Sequence, residues 1–87
     1  MSVQTTITVT VQLFAGAREA AGRGTLDVVL SDNGTIGQLR RALSEQHPQL
    51  AALAPHLMFA IDTRYADDHT AVAEHAQVAA IPPVSGG

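Results

Sequence analysis

The sequence predicts an α+β domain, a mixed sheet of four to five strands with one main helix across one face. Three observations carry this. Ile7, Val9, Val11 and Leu13 alternate with Thr6, Thr8, Thr10 and Gln12, and Leu26, Val28 and Leu30 repeat the pattern, giving two half-buried strands. Residues 35–47 then change period, with Ile36, Leu39 and Leu43 spaced to form one stripe on a helix. A lone helix and a sheet each have one apolar surface to hide, so they hide them against each other.

The elements follow in the order β-β-α-β-(β)-β. Between the first two strands, "AGAREAAGRG" with Gly16, Gly22 and Gly24 reads as the Gly-rich connection of an antiparallel hairpin. Phe14 falls on the polar side of the first strand's alternation, an unexpected place for a large ring. Thr35 followed by Gln38 is a capping-box pattern that starts the helix, and Pro48 stops it. On that helix Gln38, Arg40, Arg41 and Glu45 are expected on the solvated face. "PQLAALAP" can add a short helical turn with Leu50 and Leu53 inward. "HLMFAID" restores alternation with Leu57, Phe59 and Ile61 on one face, and "TRYADDHTAVAEHA" reads as irregular. "QVAAIPP" is a last strand with Val78 and Ala80 inward and Ile81 outward. Pro82 and Pro83 end it, because proline cannot donate to a sheet ladder.

Composition removes several classes of function. Five arginines, no lysine and eight acids give a net charge of −3, and no basic stripe exists for nucleic acid. No cysteine is present, so the chain holds no disulfide, thiolate metal site or Cys nucleophile. No apolar run approaches the ~18 residues that span a bilayer, and "MSVQTTITVT" has no secretory pattern. No membrane association and a cytoplasmic location are expected. Asp67, Asp68, His69 and His75 form the best metal-like cluster but lack ligand spacing, so no metal site is expected. Arg18 and Glu19 can form a surface pair of little energetic weight. No P-loop, dinucleotide fingerprint or Ser-His-Asp order is found, and no bound cofactor is expected.

The informative stretch is "IPPVSGG". Residues 1–81 are expected to form the domain and residues 82–87 a flexible tail, which reaches roughly 20 Å when fully extended. Prolines stiffen its root. Gly86 and Gly87 lack Cβ atoms and can enter a channel too narrow for side chains, presenting one α-carboxylate. A carboxylate is unreactive until activated as a mixed anhydride. Sulfide then converts it to a thiocarboxylate, and a lysine amine converts it to an isopeptide. Either way the chain carries a group and its partners supply the catalysis.

Those features resemble the MoaD/ThiS family of ubiquitin-like sulfur carriers, its molybdopterin-synthase branch above all. "LFAGARE" (13–19) resembles the family's strand-ending "FFA-x-x-RE", and "QVAAIPPVSGG" (77–87) resembles its "EVAFFPPVxGG" terminus. The resemblance spans nearly the whole chain and implies a β-grasp fold. It implies a non-catalytic sulfur-donor subunit whose Gly87, with Gly86 beside it, is adenylated by a MoeB-like adenylyltransferase using ATP. A sulfur-transfer protein then makes the thiocarboxylate. The tail enters a MoaE-like large subunit, in a heterotetramer, and delivers sulfur to precursor Z (cyclic pyranopterin monophosphate) to form the dithiolene. Partner contacts carried over from the family fall on Phe14, Tyr65 and Ile81, continuing through Pro82, Pro83, Val84 and Ser85. Interface patches of this kind use Phe and Tyr as anchors; the alternative for Phe14 is packing beneath the Gly-rich connection.

Two departures stand out. Where the family has a "DGD" turn this chain reads "AEHAQ" (73–77), which puts His75 in the left-handed region if that turn needs φ > 0. Position 81 is Ile rather than an aromatic residue. Sulfur carriage for thiamine or cysteine synthesis, a ubiquitin-like protein modifier, and an interaction module with an inert tail are the competing readings.

Overall fold

The computed structural model describes residues 5–83. Its strands are β1 (Thr6–Leu13), β2 (Thr25–Ser31), β3 (Met58–Ile61), β4 (Arg64–Ala66) and β5 (Val78–Ile81). Helix α1 is Ala15–Ala21 and helix α2 is Ile36–Gln46, and two 3₁₀ turns follow at Pro48–Leu50 and Ala54–His56. The strands form one mixed sheet in the order β2-β1-β5-β3-β4. β1 pairs antiparallel with β2 and parallel with β5, and β3 pairs antiparallel with both β4 and β5. This is the expected β-grasp architecture, with α2 laid across one face.

The alternation of β1 and β2 is reproduced residue by residue: every second side chain is buried. Val9, Val11, Val28, Ile36, Leu39, Leu43 and Leu50 are fully enclosed, and Phe59 fills the centre of the core. Each of these side chains contributes about 1.5–3 kcal/mol by leaving water. The capping box at Thr35 forms in both directions, the Gln38 amide N–H donating to Thr35 Oγ1 and the Thr35 amide to Gln38 Oε1. The Ile36 and Gly37 amides donate to the carbonyls of Thr70 and Asp68. All three of the first helical amides are thereby satisfied, two of them by the segment that leads into β5. Just before the helix, Gly34 packs where a Cβ would lie 2.7 Å from Leu30 Cγ and 2.8 Å from the Ser31 carbonyl, so no larger residue fits.

Three expectations are corrected and one conditional reading is resolved. The Gly-rich connection after β1 contains a helix: Ala17 is fully buried and holds α1 against the core, and Gly22 at φ +74° ends it. Seven residues, Gly16 among them, are too few to show a helical period. Residues 64–66, read as irregular, form β4, paired with β3 through a two-residue turn at Asp62 and Thr63. Both turn residues have positive φ, +49° and +72°, the backbone of a tight primed hairpin. His75 does not adopt positive φ; residues 73–76 close as an ordinary turn with the Ala76 amide on the Ala73 carbonyl. Finally, Arg40 is not on a solvated face.

Arg40 is a clamp. Its guanidinium lies 5.0 Å from the centroid of the Phe59 ring. Nη1 donates to the carbonyls of Ala54 (2.7 Å) and Leu57 (2.6 Å), and Nη2 to Asp68 Oδ1 (2.8 Å). One side chain, 23% exposed, thus ties α2 to the second 3₁₀ turn, the start of β3 and the 67–70 loop. Arg18 and Glu19 form no ion pair, and among the described residues only Arg40–Asp68 and the exposed His75–Glu74 contact occur. No helix among the described residues is long and apolar enough to cross a membrane.

Arg40→Ala strands two carbonyls and uncovers Phe59. It should cost about 2–4 kcal/mol, since hydrogen bonds to charged groups contribute about 1.5–3 kcal/mol, and the urea midpoint measures the loss. Thr63→Gly should have the opposite sign. Relief of a β-branched residue from the left-handed region gains about 1–2 kcal/mol, offset by about 0.5–1 kcal/mol of glycine entropy. The melting temperature should rise by a few degrees, at about 4–8 °C per kcal/mol.

Candidate functional site

β5 lies between β1 and β3, so the segment that follows Ile81 leaves from the middle of the sheet. The parallel register pairs Leu13 with Ala80, and the Phe14 amide donates to the Ala80 carbonyl at 3.3 Å. The first and last strands therefore finish side by side, with Phe14 next to the residue that starts the tail.

Phe14 continues the outer-face series Thr8, Thr10, Gln12, opposite to α2. No helix among the described residues covers that face, and Phe14 is 42% exposed rather than packed under α1. Ile81 is half-buried and pairs with Met58, which is 47% exposed. Tyr65, 69% exposed, pairs with Ala60, and Ala60 pairs with Ala79 on its other side. Small alanines thus make a floor and Phe14, Tyr65 and Ile81 make walls. The resulting trough has a volume of about 290 Å³, with Thr63 and Gln77 on its rim. No carboxylate, imidazole or cationic side chain lines it. Three of the four exposed large apolar residues among those described (Phe14, Met58 and Tyr65) collect on this end of one face. Such clustering marks an interaction site, whereas scattered apolar residues do not.

The backbone around the trough is strained. Ala15, directly after Phe14, has φ +50°, and Asp62 and Thr63 stand just ahead of Tyr65. These are three of the four non-glycine residues in the left-handed region among those described, each costing about 1 kcal/mol or more. Strain of this kind is retained where surrounding contacts over-determine it, often at sites of function. Here Asp62 is held by its amide on the Gln77 carbonyl and its carboxylate on the Gln77 amide.

The structure brings Phe14, Tyr65 and Ile81 together in one trough. Pro82 follows half-buried and Pro83 exposed, while Val84, Ser85, Gly86 and Gly87 lie outside the described residues. Met58 and the alanine floor were missed, although the alternation that put Leu57, Phe59 and Ile61 inward also put Met58 and Ala60 outward. Asp67 serves its own loop, accepting from the His69 amide and the Thr70 hydroxyl. No group of three His, Cys, Asp or Glu close enough to hold a metal occurs among the described residues. A wider groove of about 620 Å³ runs along α2 beside Arg41, Glu45 and Asp68 on the opposite face, and shares no lining residue with the trough.

A sequence profile of the ThiS family matches residues 11–87, from the middle of β1 to the last glycine. The chain belongs to the ThiS family. It is a ubiquitin-like sulfur carrier of MoaD/ThiS type, in keeping with the β-grasp sheet. Among relatives of this ThiS-family chain, the molybdopterin synthase sulfur carrier subunit of Caenorhabditis briggsae is 30% identical over 83 residues, covering 93% of this chain and 99% of the relative. Small archaeal modifier protein 1 from Haloferax volcanii superposes with a TM-score of 0.79 at 28% identity, covering 90% of this chain and 99% of that one. Subunit 1 in the complex of subunits 1 and 2 of molybdopterin-converting factor from Helicobacter pylori shares the fold at 18% identity, with a TM-score of 0.63, covering 93% of this chain and all of that one.

An exposed wall of the trough should be dispensable for folding. Tyr65→Ala should shift stability by no more than about 0.5 kcal/mol. Phe59→Ala, two residues from Ile61 on the buried side, should cost about 3–5 kcal/mol. Paired denaturation curves make the comparison.

Proposed function

We propose that this chain is the sulfur-donating small subunit of a molybdopterin synthase, acting through the carboxylate of Gly87. The observation that carries the reading is the position of β5: a central strand, flanked by Phe14, that ends at Ile81 in the wall of an apolar trough. The name borne by the Caenorhabditis briggsae relative supports the same reading, and so does the ThiS-family match through residue 87.

The chemistry is a sequence of acyl transfers. A MoeB-like enzyme binds the tail, and a Gly87 carboxylate oxygen attacks the α-phosphorus of ATP, releasing pyrophosphate. A sulfur-transfer protein delivers sulfur at the sulfide level, as HS⁻, which displaces AMP from the acyl carbon and leaves a thiocarboxylate. Within a MoaE-like large subunit, in a heterotetramer, the thiocarboxylate sulfur bonds to a carbon of precursor Z. Water then cleaves the acyl–sulfur bond, leaving the sulfur on the pterin and returning Gly87 as a carboxylate. The chain's own part is positional. Gly86 and Gly87 thread a narrow channel, Pro82 and Pro83 hold the root extended, Val84 and Ser85 span the entrance, and Phe14, Tyr65 and Ile81 seat both partners in turn. Using one docking surface for activation and delivery makes the two complexes mutually exclusive, so one partner leaves before the other binds, and the release of pyrophosphate and AMP gives the cycle its direction.

The likeness to small archaeal modifier protein 1 favours one second reading, ligation of the same activated glycine to lysines of other proteins. The absence of lysine in this chain excludes tags built upon its own copies.

Intact mass after incubation with a MoeB-like enzyme, ATP and a sulfur source tests the proposal. One oxygen should be replaced by sulfur, and deletion of Gly87 should abolish the change. An unaltered mass refutes sulfur carriage, and lysine adducts in place of pterin product select the modifier reading. Phe14→Arg buries a charge at the patch centre and should weaken large-subunit binding by about 2 kcal/mol or more, on the order of thirtyfold. Retained affinity would remove Phe14 from the interface.

A further inference from the structure

The sheet has two edges, and they are protected differently. β4 is three residues long, too short to template another strand. β2 is seven residues long and flat in pattern, with Val29 49% exposed beside its free edge. An unprotected edge of this length is a site for pairing with other chains. The ladder to β1 engages Gly24, Leu26, Val28, Leu30 and Asp32, so Thr25, Asp27, Val29 and Ser31 direct their backbone groups outward.

Those outward groups are already occupied at the middle of the strand. The Val29 amide donates to Gln46 Oε1 at 2.9 Å, and Gln46 Nε2 donates to the Val29 carbonyl at 2.8 Å. The Gln46 carboxamide thus presents the donor and acceptor that a neighbouring strand would present. His47 Nε2 lies 3.0 Å from the Asp27 carbonyl, which takes its N–H, and the Ser31 carbonyl accepts from the Gly34 amide. Gln46 is the last residue of α2 and His47 its C-cap, so helix packing on the core fixes both side chains at the edge.

We propose that Gln46 and His47 form an edge guard that keeps this chain from pairing β2 with β2 of a second copy. The occupant is a second copy because one of the two-fold antiparallel registers matches apolar with apolar side chains and carboxylate with hydroxyl. Centred on Val29, it places Val29 against Val29 of the other copy and Asp27 against Ser31, whereas the register centred on Asp27 opposes two carboxylates. Only the first gives apolar contact without like-charge repulsion. The inference stands independently of the proposed function.

Sedimentation velocity on the full chain tests the guard. Gln46→Ala/His47→Ala should change from one chain to two as concentration rises toward, on the order of, millimolar values, while the unsubstituted chain stays single. Adding Val29→Lys, which opposes two ammonium groups in the favoured register, should restore the single chain. A folded double variant that stays single throughout overturns the proposal, as does a dimer indifferent to Val29→Lys. Hydrogen exchange on the unsubstituted chain gives a reading free of any folding defect. The Val29 amide should exchange at least about tenfold more slowly than the Thr25 and Ser31 amides facing the same edge. Equal rates would mean that the Gln46 pair is not formed in solution, and would overturn the guard.

Discussion

The parallel pairing of β1 with β5 is the constraint on which the rest depends. It joins the two ends of the chain's fold in the middle of the sheet, by only three residue pairs, Val11 with Val78 through Leu13 with Ala80. Because both strands are interior, neither can shift without breaking ladders on its other side. A one-residue slip would turn Val78 and Ala80 out of the core and Phe14 away from Ile81. Core packing and site assembly are therefore a single requirement, and the buried side of each strand sets the position of its exposed side.

The distribution of polar interactions serves that requirement. Arg40 joins helix, turn and loop behind Phe59, while the first-turn amides of α2 are taken by the segment that leads toward β5. The helical face of the molecule is thus fastened by directional bonds. The opposite face, which carries the trough, has small side chains and a strained backbone, and its shape is imposed from behind. Rigid support beneath a bare apolar surface lowers the entropy lost on association.

Much of this was legible from residue order alone. Alternation located β1, β2, β3 and β5 because each has one wet face, and the capping box marked the start of α2 because its two side chains satisfy named amides. Arg40 was not legible: periodicity places it outward, yet its stem is long enough to bring the guanidinium back to carbonyls left open by a 3₁₀ turn. α1 was hidden because its stability comes from burying Ala17, not from an amphipathic repeat. The turn at Asp62 and Thr63 lacks the Asn-Gly signature that announces primed hairpins. For the site, Phe14 was visible as a ring on the wrong side of a strand. The alanines beneath it were not, since a small residue signals a floor only when its neighbours in space are known.

The interior placement of β5 has a mechanical consequence. Traction applied to the segment beyond Ile81 runs along the strand axis and loads the ladders to β1 and β3 in shear, so several hydrogen bonds must fail together. An edge strand pulled the same way would be held by one ladder instead of two. The fold can thus bear a pull on the segment beyond Ile81 without coming undone.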